Sequence, residues 1–140
     1  MVLRLYALGH WCYVWRVPIL PRIIYAINRI FFGVALPVSA KLGKNIVLSY
    51  QGIGTVIHAR ATIGDQTYIG PNVTIGGRSD LYDVPVIGKS VYIGAGARIL
   101  GPIKVGDDAI IGANAVVIHD VPERAVVAGV PAKIIKIRKI

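Results

Sequence analysis

Four side chains in this 140-residue sequence are the usual candidates for proton transfer, metal binding or acyl capture: His10, Cys12, His58 and His119. An imidazole exchanges a proton near neutral pH, so a placed histidine can strip the proton from an attacking hydroxyl. A single cysteine cannot close an internal disulfide, which points to a reducing, cytoplasmic compartment and away from a stapled secreted scaffold. Which of these groups could act depends on the elements that carry them. His10 lies among aromatic residues near the N-terminus, where packing or surface exposure explains it. His119, in Ile118-His119-Asp120-Val121-Pro122, sits at the exit of a repeat and reads as structural. His58 stands beside an irregularity in a regular pattern.

That pattern has a period of six. Ile57, Ile63, Ile69 and Ile75 are six apart, as are Ile87, Ile93, Ile99, Val105, Ile111 and Val117, and upstream Leu36, Leu42 and Leu48. Four residues after each aliphatic comes a small or branched residue, from Ala40 and Ile46 to Ala115 and Val121; the exception is Ser79. Glycine directly follows the aliphatic in eight of the thirteen hexads, including Gly64, Gly76, Gly94 and Gly112. Each hexad predicts one short strand and one corner, with the aliphatic inward, a smaller inward residue at the tight corner, and glycine relieving crowding there. Three strands close a triangular coil, and stacked coils pair strand on strand. A narrow interior excludes large rings, and Tyr68 and Tyr92 fall at outward positions. A heptad helix cannot produce a period of six.

The chain divides near Gly33–Pro37. Seven of its eleven aromatic residues lie in the first 32 positions, whereas only Gly9 and Gly33 of its sixteen glycines precede residue 40. Pro18 and Pro21 interrupt the N-terminal segment, which predicts helices near 3–16 and 21–32. Arg4, Arg16, Arg22 and Arg29 punctuate an otherwise apolar surface. Two readings stay open: a helical cap on the body or on a neighbouring subunit, or peripheral contact with a membrane surface, where Trp, Tyr and Arg are favoured. The longest uncharged stretch there, Leu5 to Trp15, falls far short of the roughly 20 residues a crossing needs. No small-residue cleavage site follows it, so no secretory signal is expected. The expected organisation is a cap over 1–34, a repeat body over 35–135 with a loop extruded at 77–86, and a basic tail over 136–140.

Two breaks in the repeat mark candidate sites. Leu48 and Ile57 are nine apart, so three residues are inserted around Gln51-Gly52-Ile53-Gly54. Between Ile75 and Ile87 the phase holds, but Gly77-Arg78-Ser79-Asp80-Leu81-Tyr82-Asp83-Val84-Pro85 reads as a loop. His58 follows the first break directly and replaces a corner glycine. A histidine in a corner ordinarily fills it or hydrogen-bonds; the adjacent insertion favours chemistry.

Val73-Thr74-Ile75-Gly76-Gly77, Ile93-Gly94-Ala95-Gly96-Ala97 and Val127-Ala128-Gly129-Val130-Pro131-Ala132-Lys133 resemble the hexapeptide-repeat acyltransferases over residues 36–135, most of all the serine acetyltransferases and their sugar O-acetyltransferase relatives. The resemblance implies an all-β body, a left-handed parallel β-helix behind a short helical segment. It further implies homotrimers with acetyl-CoA as co-substrate in the groove between adjacent helices. It points to Gly77, Ala95 and Ala113 as backbone contacts for the cofactor. Ala95 and Ala113 are one coil apart, so their small side chains would stack on one face. Lys133 and Lys136, in a basic C-terminal run, suit the CoA phosphates, or equally a charged edge strand.

Direct transfer in a ternary complex then needs a base, for which His58 is the candidate, a backbone N–H for the oxyanion, and proximity. The serine acetyltransferases carry Asp-His before this coil, where this chain has Tyr50-Gln51, and Arg-His in the loop, where it has Asp83-Val84. Asp83 would repel a serine carboxylate. The sequence therefore favours a neutral small-molecule hydroxyl, such as a sugar or saccharide intermediate in polysaccharide biosynthesis, over serine, with Tyr50, Arg78, Tyr82 and Asp83 as acceptor contacts. A non-catalytic scaffold or trimerisation module is the alternative outside enzymology. The net charge of +9 is spread over corners and tails with no nucleic-acid motif, so nucleic acid is not an expected partner. Three histidines, one of them in the cap, do not provide the three ligands of a zinc site, so no metal is expected.

Overall fold

A computed structural model describes residues 1–139. The N-terminal segment forms a helical hairpin, α1 (Val2–Val14) and α2 (Leu20–Phe32). Proline in the first turn of α2 costs no hydrogen bond, and Gly33, at φ 62°, closes the helix in the left-handed conformation. The hairpin is fastened to the body by Val2 and Tyr6, which join its core, while Cys12 and Ile24 are buried within the hairpin region. The Tyr6 hydroxyl donates to the Ala40 carbonyl, and His10 Nδ1 lies 2.6 Å from the Val38 carbonyl oxygen while its ring stacks on Tyr6. A side chain at Gly9 would collide with Val38 Cγ1 at 2.7 Å, so glycine lets the helix approach the first coil.

The body is a parallel β-solenoid built as the period of six predicts. One sheet stacks β1 (Lys41–Leu42), β4 (Thr62–Ile63), β7 (Val86–Ile87) and β10 (Lys104–Val105). A second stacks β2 (Val47–Leu48), β5 (Tyr68–Ile69), β8 (Tyr92–Ile93), β11 (Ile110–Ile111) and β13 (Ala125–Ala128), and ends on β14 (Lys133–Ile137). A third stacks β3 (Val56–Ile57), β6 (Thr74–Gly76), β9 (Arg98–Leu100) and β12 (Val116–Val117). All pairs are parallel except β13 with β14. The β-helix fold class inferred from the repeat is the one observed.

Register explains both breaks. Regular coils pair residues eighteen apart, such as Ile93 with Ile111 and Ile57 with Ile75. Leu42 pairs with Ile63, three residues further, because the insertion after β2 lies between them. Ile75 pairs with Ile99, six further, because the loop after β6 occupies one hexad. The inward aliphatics Ile63, Ile69, Ile75, Ile87, Ile93, Ile99 and Ile111 are at most 1% exposed, and each adds about 1.5–3 kcal/mol by burial. Tyr68 and Tyr92 lie outward as expected, stacked with ring centroids 4.8 Å apart.

The corner glycines serve close approach. A Cβ on Gly64 would meet the Gly88 carbonyl carbon at 2.5 Å, and one on Gly94 the Ala113 nitrogen at 2.6 Å. The left-handed corner residues are polar ones two positions later, such as Gln66, Asn72 and Asn114. Two boundaries differ from expectation. Val86 belongs to β7, so the extruded loop ends at Pro85. Lys136 lies within β14, which pairs antiparallel with β13, so the basic run begins as an edge strand rather than a separate tail. Ile140 lies outside the described residues.

Candidate active site

The functional candidates fall on the two edges of the third sheet. One edge is the corner column leading from that sheet to the first: His58–Ala61 after β3, residues 77–85 after β6, and Gly101–Ile103 after β9. These corners carry His58, Arg78, Tyr82 and Asp83, of which Tyr82 and Asp83 line one groove while His58 and Arg78 lie outside its lining. The other edge is the column leading from the second sheet into the third, and it carries Tyr50, Ala95 and Ala113. Within one chain the two groups are separated by the width of a sheet.

His58 is half-buried, and its backbone N–H donates to Ile75 at 2.8 Å, which holds the corner against the next coil. Its ring is hydrogen-bonded: the Arg60 backbone N–H donates to Nδ1 at 3.1 Å. The neutral ring in this arrangement carries its proton on Nε2. To accept a proton the half-exposed ring must swing off Arg60, giving up one hydrogen bond worth about 1 kcal/mol. General-base assistance of about 10²–10⁴-fold exceeds that cost.

The extruded loop is tethered by one cation–aromatic contact and by the packing of Arg78. The Arg60 guanidinium carbon lies 3.8 Å from the Tyr82 ring centroid. The Arg78 side chain lies over Gly101, where an added Cβ would meet its Cδ at 2.6 Å. Below the loop, a groove of about 320 Å³ is lined by Arg60, Tyr82, Asp83, Val84, Val86 and Lys104, among others. Two cations, Arg60 and Lys104, thus share a groove with Asp83. Sequence reasoning passed over both, because neither breaks the hexad rule; only the stacking of coils brings them under the loop.

At the opposite edge, the three-residue insertion folds as a short 3-10 turn, Ser49–Gly52, with Tyr50 and Gln51 both left-handed (φ 51° and 58°). Tyr50 is 80% exposed. The Gln51 Oε1 accepts from the Val2 backbone N–H at 3.3 Å. Ala95 and Ala113 occupy successive corners of this column, joined by the Asn114 N–H donating to the Ala95 carbonyl at 2.9 Å, and both are exposed. Gly77 lies on the other edge, with the loop. Lys133 and Lys136 are exposed on β14 at the end of the second sheet. His119 is exposed, and Cys12 is buried in α1.

Comparison with known proteins bears on this arrangement. The family described as "Bacterial transferase hexapeptide (six repeats)" matches residues 85–119. A serine acetyltransferase of Synechococcus elongatus is 36% identical over 66 residues, covering 47% of this chain and 27% of the relative. The crystal structure of Neisseria gonorrhoeae serine acetyltransferase superposes with a TM-score of 0.93 at 34% identity, over 99% of this chain and 55% of that one. That of Brucella abortus serine acetyltransferase in complex with coenzyme A gives 0.93 at 33% identity, over 98% and 55%. The chain spans about half the length of these solved relatives. In its repeat, its left-handed β-helix and its relatives alike, this chain matches a hexapeptide-repeat acetyltransferase.

Proposed function

We propose that the chain carries out acetyl-CoA-dependent O-acetylation, with serine or a closely related hydroxy amino acid as acceptor. The observation that carries this reading is the similarity, over nearly the whole chain, to solved serine acetyltransferases, one of them bound to coenzyme A. Serine thereby replaces the neutral sugar that the loop sequence favours. The groove under the loop answers the charge objection. Asp83 would repel a carboxylate alone, but beside Arg60 and Lys104 it completes a site of mixed charge. A zwitterion suits such a site, its carboxylate facing the two cations and its ammonium facing Asp83.

In this reading His58, swung off the Arg60 N–H, takes the hydroxyl proton as the acceptor oxygen attacks the thioester carbonyl. The thiol of CoA leaves directly, with no acyl-enzyme. The exposed corners at Ala95 and Ala113 let a pantetheine chain lie against the strands, and Lys133 and Lys136 supply charge for the CoA phosphates. Both edges of the third sheet then serve one reaction where neighbouring copies in a homotrimer face each other, the His58 edge of one against the Ala95 edge of the next. Gly77, Arg78, Tyr82 and Tyr50 line the approach.

Thermal unfolding with and without CoA separates this enzyme from a bare scaffold. Ligand at a hundred times its dissociation constant adds about 2.7 kcal/mol of stability and raises Tm by several degrees. No shift at millimolar CoA would favour the scaffold.

A further inference from the structure

The helical hairpin has a second face that the body does not use. On α1, successive steps of 100° place Arg4, Ala7, Leu8, Trp11, Val14 and Trp15 on one side, opposite the buried Val2, Tyr6 and Gly9. On α2 the outer stripe is Ile23, Ala26 and Ile30, flanked by Arg22 and Arg29. Trp11 is 58% exposed, Trp15 69%, Ile19 67%, Ile30 76% and Phe31 76%. The rings of Trp11 and Trp15 lie 6.1 Å apart. So continuous an apolar surface on the outside of a folded chain marks an interaction site.

Charge identifies the occupant. Residues 1–64 hold seven Lys and Arg and no Asp or Glu; all seven acidic residues come later. Arg4, Arg16, Arg22 and Arg29 are all exposed within or beside the apolar stripes. A second copy pressing the same face would bring arginines against arginines with no carboxylate between them. A nucleic acid would satisfy the arginines and leave indole, isoleucine and phenylalanine unburied. A bilayer surface with anionic headgroups satisfies both: phosphates meet the guanidinium groups, and tryptophan favours the boundary between headgroup and acyl chain. Among the described residues no helix is long and apolar enough to cross a membrane, and thirteen residues reach only about 20 Å. A recess of about 520 Å³ lies between the hairpin turn and the first coil, lined by Tyr13, Val17, Pro21, Tyr25, Pro37 and Val38 among others, and stands apart from this outer stripe.

We propose that this outer face of the α1–α2 hairpin docks the protein on anionic lipid, lying in the plane of the surface without spanning it. The reading stands independently of the acetyl-transfer chemistry. The full chain should co-sediment with vesicles of phosphatidylcholine containing 30 mol% phosphatidylglycerol, and not with phosphatidylcholine alone. Tryptophan emission should shift to the blue on binding, and salt should weaken the partitioning. The double substitution Arg22→Gln/Arg29→Gln should lower partitioning by about 25-fold, roughly fivefold per arginine, and Trp11→Ala/Trp15→Ala should remove the rest. Both pairs are exposed, and unchanged melting temperatures establish that the variants are folded. Three results would overturn the proposal: no binding to the anionic vesicles at low salt, binding indifferent to both variants, or a drop in oligomer size on Trp11→Ala/Trp15→Ala, which would assign the face to another copy of the chain.

Discussion

The backbone N–H of Arg60 donates to His58 Nδ1 across a corner of the solenoid. The bond gives the histidine a structural task, closing the corner much as an Asx turn does. It also provides a way to separate that task from chemistry. Asparagine places Oδ1 where Nδ1 lies and accepts the same N–H, but it cannot take up a proton. His58→Asn should keep the melting temperature and lose about a hundredfold or more in turnover. Alanine at the same position should lose both. A fully active His58→Asn enzyme would reduce His58 to a corner cap.

Arg60 and Lys104 line the groove under the loop together with Asp83. If they hold the acceptor carboxylate, Arg60→Ala should raise KM for serine about tenfold or more, the cost of one charge-assisted hydrogen bond, and leave KM for acetyl-CoA unchanged. Steady-state kinetics with each substrate varied in turn reads the split. Equal effects on both KM values would place Arg60 outside the acceptor site.

The solenoid depends on aliphatics within a coil and on absent side chains between coils. Ile93→Ala removes a fully buried side chain and should cost about 2–5 kcal/mol. Gly94→Ala adds one methyl group whose nearest neighbours are backbone atoms of Ala113 and Gly112, which cannot rotate away; it should cost about 1–3 kcal/mol despite its size. Urea titration of both variants measures these values.

Burial raises the Tyr6 phenol above its ordinary value of 10.0. The unfolded chain therefore gives up this proton at lower pH than the folded one. The phenol's contribution is complete below pH 10 and is lost as pH rises through the raised value. Melting temperature should fall more steeply above pH 10 in the parent than in Tyr6→Phe, which also lacks the bond to Ala40.

The solenoid was legible because a six-residue coil leaves its trace at every turn: Ile57, Ile63 and Ile69 announce an inward line whichever coil they belong to. Both breaks were visible as faults in that line. What gathers around the breaks was not. Arg60 and Lys104 obey the repeat and are separated by a loop and most of two coils, so only the stacking of β4, β7 and β10 puts them in one groove. The hydrogen bond on His58 depends on the turn of a corner, which spacing does not specify. Nor does spacing show that the extruded loop and the stacked alanines stand on opposite edges of one sheet.

Release of free CoA thiol decides whether serine is the acceptor. Purified protein given acetyl-CoA should release thiol in proportion to added L-serine and form O-acetylserine detectable by mass spectrometry, with neutral sugars at the same concentration giving only background. Thiol release that follows a sugar and ignores serine would contradict the assignment of acceptor. No release with any acceptor, under conditions where CoA stabilises the fold, would contradict the chemistry itself.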